Sequence, residues 1–194
     1  MRTKVSAMIV AAFAVTITVI SCNSKKEGTT TAQAISNDSL VKRGSYLVNA
    51  MGCDDCHSPK RMGEHGPELV PETRFGGYPS GRPLAPIDTN VLKNGWAMLG
   101  PDLTNAVGPW GVSFAANISS DETGIGNWTE QQFLTAIRKG KYKGLEGSRD
   151  LLPPMPWFMY RNLNDDDLRS IFAFLKSTKP VKNIVPAPKQ LADL

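Results

Sequence analysis

The sequence predicts a mainly α domain with about three main helices and a long, loop-rich insertion after the first of them. Three stretches carry apolar residues at helical spacing, and each has polar start signals and a recognisable end. Glycine and proline are plentiful, with 17 and 14 residues in a chain of 194, which favours turns over long regular elements. A short piece around Val112 to Ile118 is the one stretch that favours a strand.

The first predicted helix runs from about Ser39 to Met51. Ser39 is a suitable N-cap, and apolar residues follow at roughly helical spacing: Leu40, Tyr46, Leu47, Ala50 and Met51. Gly44 interrupts this helix at a cost in helix propensity. Two explanations stay open for it: another helix approaches closely at this point, or the glycine is merely tolerated.

The second predicted helix starts at Thr129, which forms a capping box with Gln132, and it ends at Gly140. Its apolar residues are Phe133, Leu134 and Ile137. The third predicted helix runs from Asn164 to about Ser177, with Asn164 as its N-cap and three aspartates in its first turn. Its apolar stripe has the i, i+3, i+4, i+7 spacing: Leu168, Ile171, Phe172 and Leu175.

The N-terminus has the features of a bacterial lipoprotein leader. Arg2 and Lys4 precede an apolar stretch, residues 5–20, that is too short for a stable membrane span. The sequence Val-Ile-Ser-Cys that ends at Cys22 resembles the lipobox, which predicts a signal peptide over residues 1–21 and lipidation of Cys22. The alternative is an ordinary secretory leader with an incidental cysteine. Both place the protein outside the cytoplasm, on the periplasmic side.

The remaining chain divides by composition. Residues 22–38 are polar and aperiodic, which predicts a flexible tether. One folded domain is predicted over residues 39–180, with the loop-rich insertion at 59–116, and residues 181–194 are predicted to be a C-terminal tail. The formal charge of +4 is too weak a bias to argue for nucleic-acid binding.

Cys53, Cys56 and His57 form a C-x-x-C-H motif, the pattern of covalent haem attachment. Two thiols must reach the two vinyl groups of one porphyrin, and a spacing of two residues places them about one helical turn apart. The imidazole that follows the second cysteine then ligates the iron from the proximal side. The motif occurs once, so the sequence predicts one covalent haem c.

Three alternatives explain the cysteine pair less well. A zinc site needs four ligands, whereas the remaining cysteine is the lipidation candidate and the one other histidine is His65. A thioredoxin-like redox pair would need a surrounding βαβ pattern, which the sequence lacks. A simple disulfide is compatible with an extracytoplasmic compartment and stays open.

The second axial ligand is expected to be Met155. It lies in the sequence Leu-Pro-Pro-Met-Pro-Trp, residues 152–157, where three prolines stiffen the backbone that carries the thioether. Met159 is the reserve candidate. Three other residues follow the motif too closely or suit the core better: Met62, His65 and Met98.

A helix that leads into C-x-x-C-H, a proline-flanked methionine late in the chain and a closing amphipathic helix together resemble the class I c-type cytochromes. The resemblance covers residues 39–58 and 117–179, and the C-x-x-C-H motif is its specific part. It implies the class I cytochrome c fold around one haem. In that fold the first and last helices cross, and a glycine in the first helix, here Gly44, permits the contact.

Residues 117–128 are similar to a stretch in the cytochrome subunits of membrane-bound alcohol and aldehyde dehydrogenases. This similarity implies a loop at the haem edge, with Asn117 and Trp128 as partners of the haem propionates. The alternative for Trp128 is a core aromatic residue at the start of a helix. The chain departs from those subunits because it carries one haem motif where they often carry several, and because its insertion is long.

These observations predict an electron carrier and not an enzyme. With His57 and Met155 both bound, the iron would be saturated, and no catalytic base or nucleophile is required. The expected role is a membrane-anchored shuttle or cytochrome subunit whose redox partners are a dehydrogenase, a quinol oxidase or a terminal oxidase. The alternatives are a peroxidase-like haem enzyme and a haem-based sensor, both of which need a labile sixth ligand.

Overall fold

A computed structural model describes residues 36 to 193. The predicted signal peptide, the lipidation candidate Cys22 and most of the predicted tether lie outside these residues. The predicted domain and nearly all of the predicted tail lie within them. In this part of the chain, no helix is both long and apolar enough to cross a membrane.

The described residues contain six α-helices and two small antiparallel sheets. The helices are α1 (Asn37–Ala50), α2 (Cys53–His57), α3 (Thr89–Lys93), α4 (Glu130–Lys139), α5 (Trp157–Tyr160) and α6 (Asp165–Lys176). The strands are β1 (Lys60–Gly63), β2 (Gly66–Leu69), β3 (Met98–Leu99), β4 (Asn105–Gly108) and β5 (Gly111–Phe114). Strands β1 and β2 form a hairpin, and the second sheet has the order β3-β4-β5. The fold is therefore a mixture of helices and short strands.

The predicted loop-rich insertion, residues 59–116, contains all five of these strands and α3. The sequence indicated only a piece around Val112 to Ile118, which overlaps β5. The other strands are two to four residues long, so no alternation of apolar and polar residues is long enough to be recognised. Their pairing is set by tertiary contacts and by turns, which explains why the sequence pattern missed them.

The helix ends follow local capping chemistry. Helix α1 begins earlier than predicted, because Ser36 is the N-cap and its Oγ accepts a hydrogen bond from the backbone N of Ser39 at 3.3 Å. The capping box at α4 is confirmed: the Thr129 hydroxyl accepts from the Gln132 backbone N at 3.2 Å, and the Gln132 side chain accepts from the Thr129 backbone N at 3.0 Å. Asn164 caps α6 as expected.

The core forms where α1 packs against α6. An ideal Cβ at Gly44 would lie 1.9 Å from the backbone oxygen of Ser170 and 2.7 Å from Cβ of Phe174. The glycine is therefore required by the close approach of α6, which decides between the two explanations left open by the sequence. The buried cluster around this crossing consists of Leu47, Val48, Phe75, Ile125, Phe133, Ile137, Leu168, Ile171 and Leu175.

We expect Gly44→Ala to destabilise the protein by about 3 kcal/mol, because the added methyl group overlaps backbone atoms of α6. Glycine to alanine in an unhindered helix would have the opposite sign. Urea unfolding followed by circular dichroism measures the change. Gly147→Ala is the control, since nothing lies within 4 Å of a Cβ at that position. Equal stabilities of the two variants would contradict this packing.

Candidate functional site

A cavity of about 320 Å³ lies beside α2. Its wall includes the three residues of the C-x-x-C-H motif and the predicted ligand Met155, and most of the other residues in its wall are apolar. Core residues of α4 and α6 also contribute, among them Phe133, Ile137, Leu168 and Ile171. The site therefore lies where the helical core meets the segment that follows α4.

Helix α2 presents the motif to this cavity. Gly52, with a φ of 68°, turns the chain between α1 and α2 in the left-handed conformation that favours glycine. Cys53 and Cys56 are free thiols, partly buried, and both line the cavity. A helix of five residues has too few hydrogen bonds to be stable alone, so its neighbours must hold it in place.

The imidazole of His57 is oriented by one hydrogen bond. Its Nδ1 lies 2.7 Å from the backbone oxygen of Ala116, and because a carbonyl only accepts, Nδ1 carries the proton. The lone pair of Nε2 is then available to a metal. Burial lowers the pKa of His57 from its ordinary value of 6.5, which favours the neutral form that binds metals. The backbone oxygen of His57 also accepts from the N of Gly77 at 2.8 Å.

The pKa values of the two thiols are shifted in the opposite direction from those of a redox-active cysteine pair. Burial, assisted by the charge of Asp54, raises the pKa of Cys53 to about 11, and burial also raises the pKa of Cys56. Thioredoxin-like pairs depend on a lowered thiol pKa. Both thiols here are protonated at neutral pH, which argues against that alternative. For zinc, no group of three or more His, Cys, Asp or Glu side chains in residues 36 to 193 is arranged to hold a metal ion.

A buried network of one ion pair and two hydrogen bonds holds α2 in place. The carboxylate of Asp54, the first variable residue of the motif, accepts from Arg74 Nη2 at 2.6 Å and from Ser58 Oγ at 2.6 Å. Ser58 Oγ in turn accepts from the backbone N of Phe75 at 2.8 Å. Burial alone would raise the pKa of Asp54, but the hydrogen bonds from Arg74 and Ser58 outweigh it and hold the pKa below the ordinary 3.8.

Among the candidate axial ligands in the described residues, Met155 alone lines the cavity besides His57. The segment that carries it is anchored, because Ser113 Oγ donates to the backbone oxygen of Pro153 at 2.6 Å. The reserve candidate Met159 is 61% exposed and does not line the cavity. The weaker candidates lie elsewhere. Met62 and His65 are exposed on the β1–β2 hairpin, and Met98 is half-buried in β3.

Asn117 lines the cavity, but its side chain is already used by the protein. Its Nδ2 donates to the backbone oxygens of Val181 at 2.7 Å and Asn183 at 3.2 Å, and its Oδ1 accepts from the backbone N of Ser119 at 3.0 Å. The structure thus gives Asn117 a role in holding the C-terminal segment, and its contact with a propionate stays a prediction. Trp128 lines the cavity and packs on the core; no protein acceptor for its indole N–H is found within residues 36 to 193.

The C-terminal segment, residues 181–189, is the part of the site that the sequence did not predict. It was expected to be a tail outside the domain, yet it lies along the cavity and adds to its wall. Asn183 holds it, because its Nδ2 donates to the backbone oxygens of Gly76 at 2.7 Å and Tyr78 at 2.8 Å. Two backbone hydrogen bonds join Lys189 to β5. The residues of this segment that line the cavity are Ile184, Val185, Pro186 and Pro188.

A second group that the sequence did not predict lies near the 3-10 turn Tyr142–Gly144. Tyr142, Lys143 and Arg149 line the cavity, and the Arg149 guanidinium lies 4.1 Å from the centre of the Tyr142 ring. The sequence offered one signal for the C-terminal segment, an apolar, proline-rich run in a region otherwise expected to be solvated. The sequence offered no signal for Lys143 and Arg149, because isolated basic residues on a surface form no recognisable sequence pattern.

The residues of the cavity fit a covalent haem. They supply two reduced thiols on one short helix, a neutral imidazole with a free Nε2, a thioether on an anchored loop and a mainly apolar wall. Each of these groups is one that c-type haem sites use. The fit is judged from the types of side chain that face the cavity: two thiols, one imidazole and one thioether.

Comparison with known proteins agrees with this donor set. The cytochrome c family model matches residues 41–179. The chain is 31% identical over 149 residues to the gluconate 2-dehydrogenase cytochrome c subunit of Pantoea cypripedii, which covers 75% of the chain and 25% of that protein. It is 30% identical over 147 residues to the alcohol dehydrogenase (quinone) cytochrome c subunit of Gluconobacter oxydans, covering 75% and 23%.

A longer match is to the fructose dehydrogenase cytochrome subunit of Gluconobacter japonicus. It is 28% identical over 169 residues and covers 86% of the chain and 27% of that protein. The chain therefore spans about a quarter of the length of these curated relatives. The similarity describes one region of larger proteins.

We expect Arg74→Gln to destabilise the protein by about 2 kcal/mol at pH 7, because it leaves the Asp54 carboxylate buried without its ion-pair partner. Since the pKa of Asp54 is lowered on folding, the pair contributes fully above the unfolded pKa of about 3.8. That contribution is lost as the pH falls through the lower folded pKa.

The difference in unfolding free energy between the parent and Arg74→Gln should therefore shrink as the pH falls from 5 to about 2. Urea unfolding across this range measures it. Arg61→Gln is the matched control, because Arg61 is exposed and lies 3.6 Å from its partner Glu68. A difference that stays constant with pH would contradict the role of Asp54.

Proposed function

The chain belongs to the cytochrome c family, and on this premise we propose that it is an electron carrier with one covalently bound haem c. One observation carries the proposal: the only C-x-x-C-H motif of the chain and Met155 line the same cavity. Neither hydrolytic nor group-transfer chemistry is needed for this role, so the protein acts as a carrier and not as an enzyme.

The proposed attachments follow from the atoms that face the cavity. The thiols of Cys53 and Cys56 would form the thioethers, His57 would ligate through Nε2, and Met155 would ligate through its sulfur. When bound, haem supplies an iron that alternates between the ferric and ferrous states. The chain's own residues hold the imidazole of His57 by its hydrogen bond to Ala116 and keep the sulfur of Met155 on an anchored loop. The apolar walls of the cavity exclude water.

For the propionates we propose Trp128 as a donor through its indole N–H. Asn117 is the other proposed propionate partner, and its amide also holds the C-terminal segment against the cavity. A peroxidase-like enzyme or a sensor would need a labile sixth position and distal acid–base groups. The spare histidine, His65, is exposed on the β1–β2 hairpin and does not line the cavity, which favours the carrier.

We further propose that the protein is a periplasmic lipoprotein. The leader 1–21 would direct export, lipidated Cys22 would anchor the chain, and residues 22–38 would tether a domain that starts near residue 39. The C-terminal segment belongs to this domain, because it lines the cavity. The names of the relatives support a dehydrogenase as electron donor. A quinol oxidase is the other proposed donor, and a terminal oxidase is the proposed acceptor.

We expect the oxidised parent protein to show the weak red absorption band of methionine-to-ferric-iron ligation. Met155→Ala should abolish the band and allow the reduced form to bind carbon monoxide, because the sixth position opens. Met159→Ala is the control: that side chain is 61% exposed and outside the cavity wall, so its removal should leave the band unchanged. A band that survives Met155→Ala but not Met159→Ala would reverse the assignment.

We expect Cys22→Ala to move the protein from the membrane fraction to the soluble periplasmic fraction, because a diacylglycerol anchor cannot form without the thiol. Cell fractionation followed by haem staining measures the distribution. Ser24→Ala, two residues downstream, is the control and should leave the protein in the membrane. A Cys22→Ala protein that has lost its leader and still stays membrane-bound would exclude lipid anchoring through this residue.

A further inference from the structure

Lys60 makes an unusual set of contacts at the C-terminal end of α2. Its side chain is half-buried, and its ammonium lies within hydrogen-bond distance of four backbone oxygens: Asp55 at 2.7 Å, and Asp54, Ser58 and Asp102 at 3.1 Å each. Three of these oxygens belong to α2 or to the residue that follows it. An ammonium has three protons, so all of its donors are used by carbonyl groups.

Lys60 forms no salt bridge within residues 36 to 193. Two of the residues whose backbone oxygens it contacts have buried carboxylates, and both of these have arginine partners instead. Asp54 is paired with Arg74 at 2.6 Å, and Asp102 with Arg82 at 2.6 Å. The ammonium is therefore a positive charge held by carbonyl groups at the end of the helix that carries His57, and the carboxylate of Asp54 adds a longer-range attraction.

We propose that Lys60 is a positioning residue that also raises the reduction potential of the haem. This inference rests on the proposed function. Two physical effects lead to it. The carbonyl contacts hold the last turn of α2 and join it to the loop at Asp102, which fixes the helix that bears the proximal ligand. The positive charge disfavours the oxidised iron, which carries one more positive charge than the reduced iron.

The first part of the test separates the charge from the hydrogen bonds. Lys60→Met keeps an unbranched side chain, one atom shorter, and removes both the charge and the donors. Lys60→Gln, of the same length as methionine, removes the charge and keeps two N–H donors. Redox titration of the full-length holoprotein measures the potential, and thermal unfolding measures stability. We expect both variants to have a lower potential, so that at the midpoint of the parent the ratio of reduced to oxidised protein falls severalfold.

Two further variants are controls. Lys60→Arg keeps the charge and should restore the potential to near that of the parent. Arg61→Met removes one positive charge from the neighbouring residue, whose side chain is 70% exposed, so solvent and salt should screen it and the potential should not change.

The outcomes are distinguishable. If the neutral variants unfold at a lower temperature but keep the potential of the parent, Lys60 is only structural and the inference is overturned. If Lys60→Met does not assemble, Lys60→Gln decides, and a parental potential in that variant overturns the inference equally. If the parent itself attaches no haem, the proposed function and this inference both fail. If the parent attaches haem but the Lys60 variants match its potential, the inference alone fails.

Discussion

The structure depends on holding a five-residue helix in place. Helix α2 must present two thiols and one imidazole to a single cavity, yet it is too short to be stable by itself. The groups that fix it lie outside the helix: Arg74 and Ser58 on the side chain of Asp54, the oxygen of Ala116 on the ring of His57, and the ammonium of Lys60 on the carbonyls at its end. The geometry of the motif is therefore a property of the whole domain.

This constraint explains the long insertion and the C-terminal segment. The insertion supplies Arg74 and Ala116, and β5 within it anchors the loop of Met155 through Ser113. The C-terminal segment closes the cavity with apolar residues and is held by Asn183. Neither segment contains the motif, but both decide where its atoms lie and how much water reaches them.

Charge is distributed in this site according to burial. The buried carboxylates Asp54 and Asp102 each have an arginine partner, which compensates the cost of removing them from water. The partly buried thiols stay protonated. Lys60 forms no salt bridge within the described residues, and its ammonium is held by backbone oxygens. An electron carrier benefits from such an arrangement, because a fixed charge favours one oxidation state of the iron without taking part in any bond to it.

The sequence alone determined the features that depend on neighbouring residues: the C-x-x-C-H motif, the caps of α4 and α6, and the helical stripes, since each follows from spacing within a few residues. It also selected Met155, because prolines on both sides are a local signal. The spacing of its residues left the role of Gly44 open, and only the family resemblance implied the helix crossing there. The sequence did not reveal the strands of the insertion or the docking of residues 181–189. Those features were decided by tertiary structure, because each depends on which distant backbone comes within hydrogen-bond or van der Waals distance, and no local pattern records that.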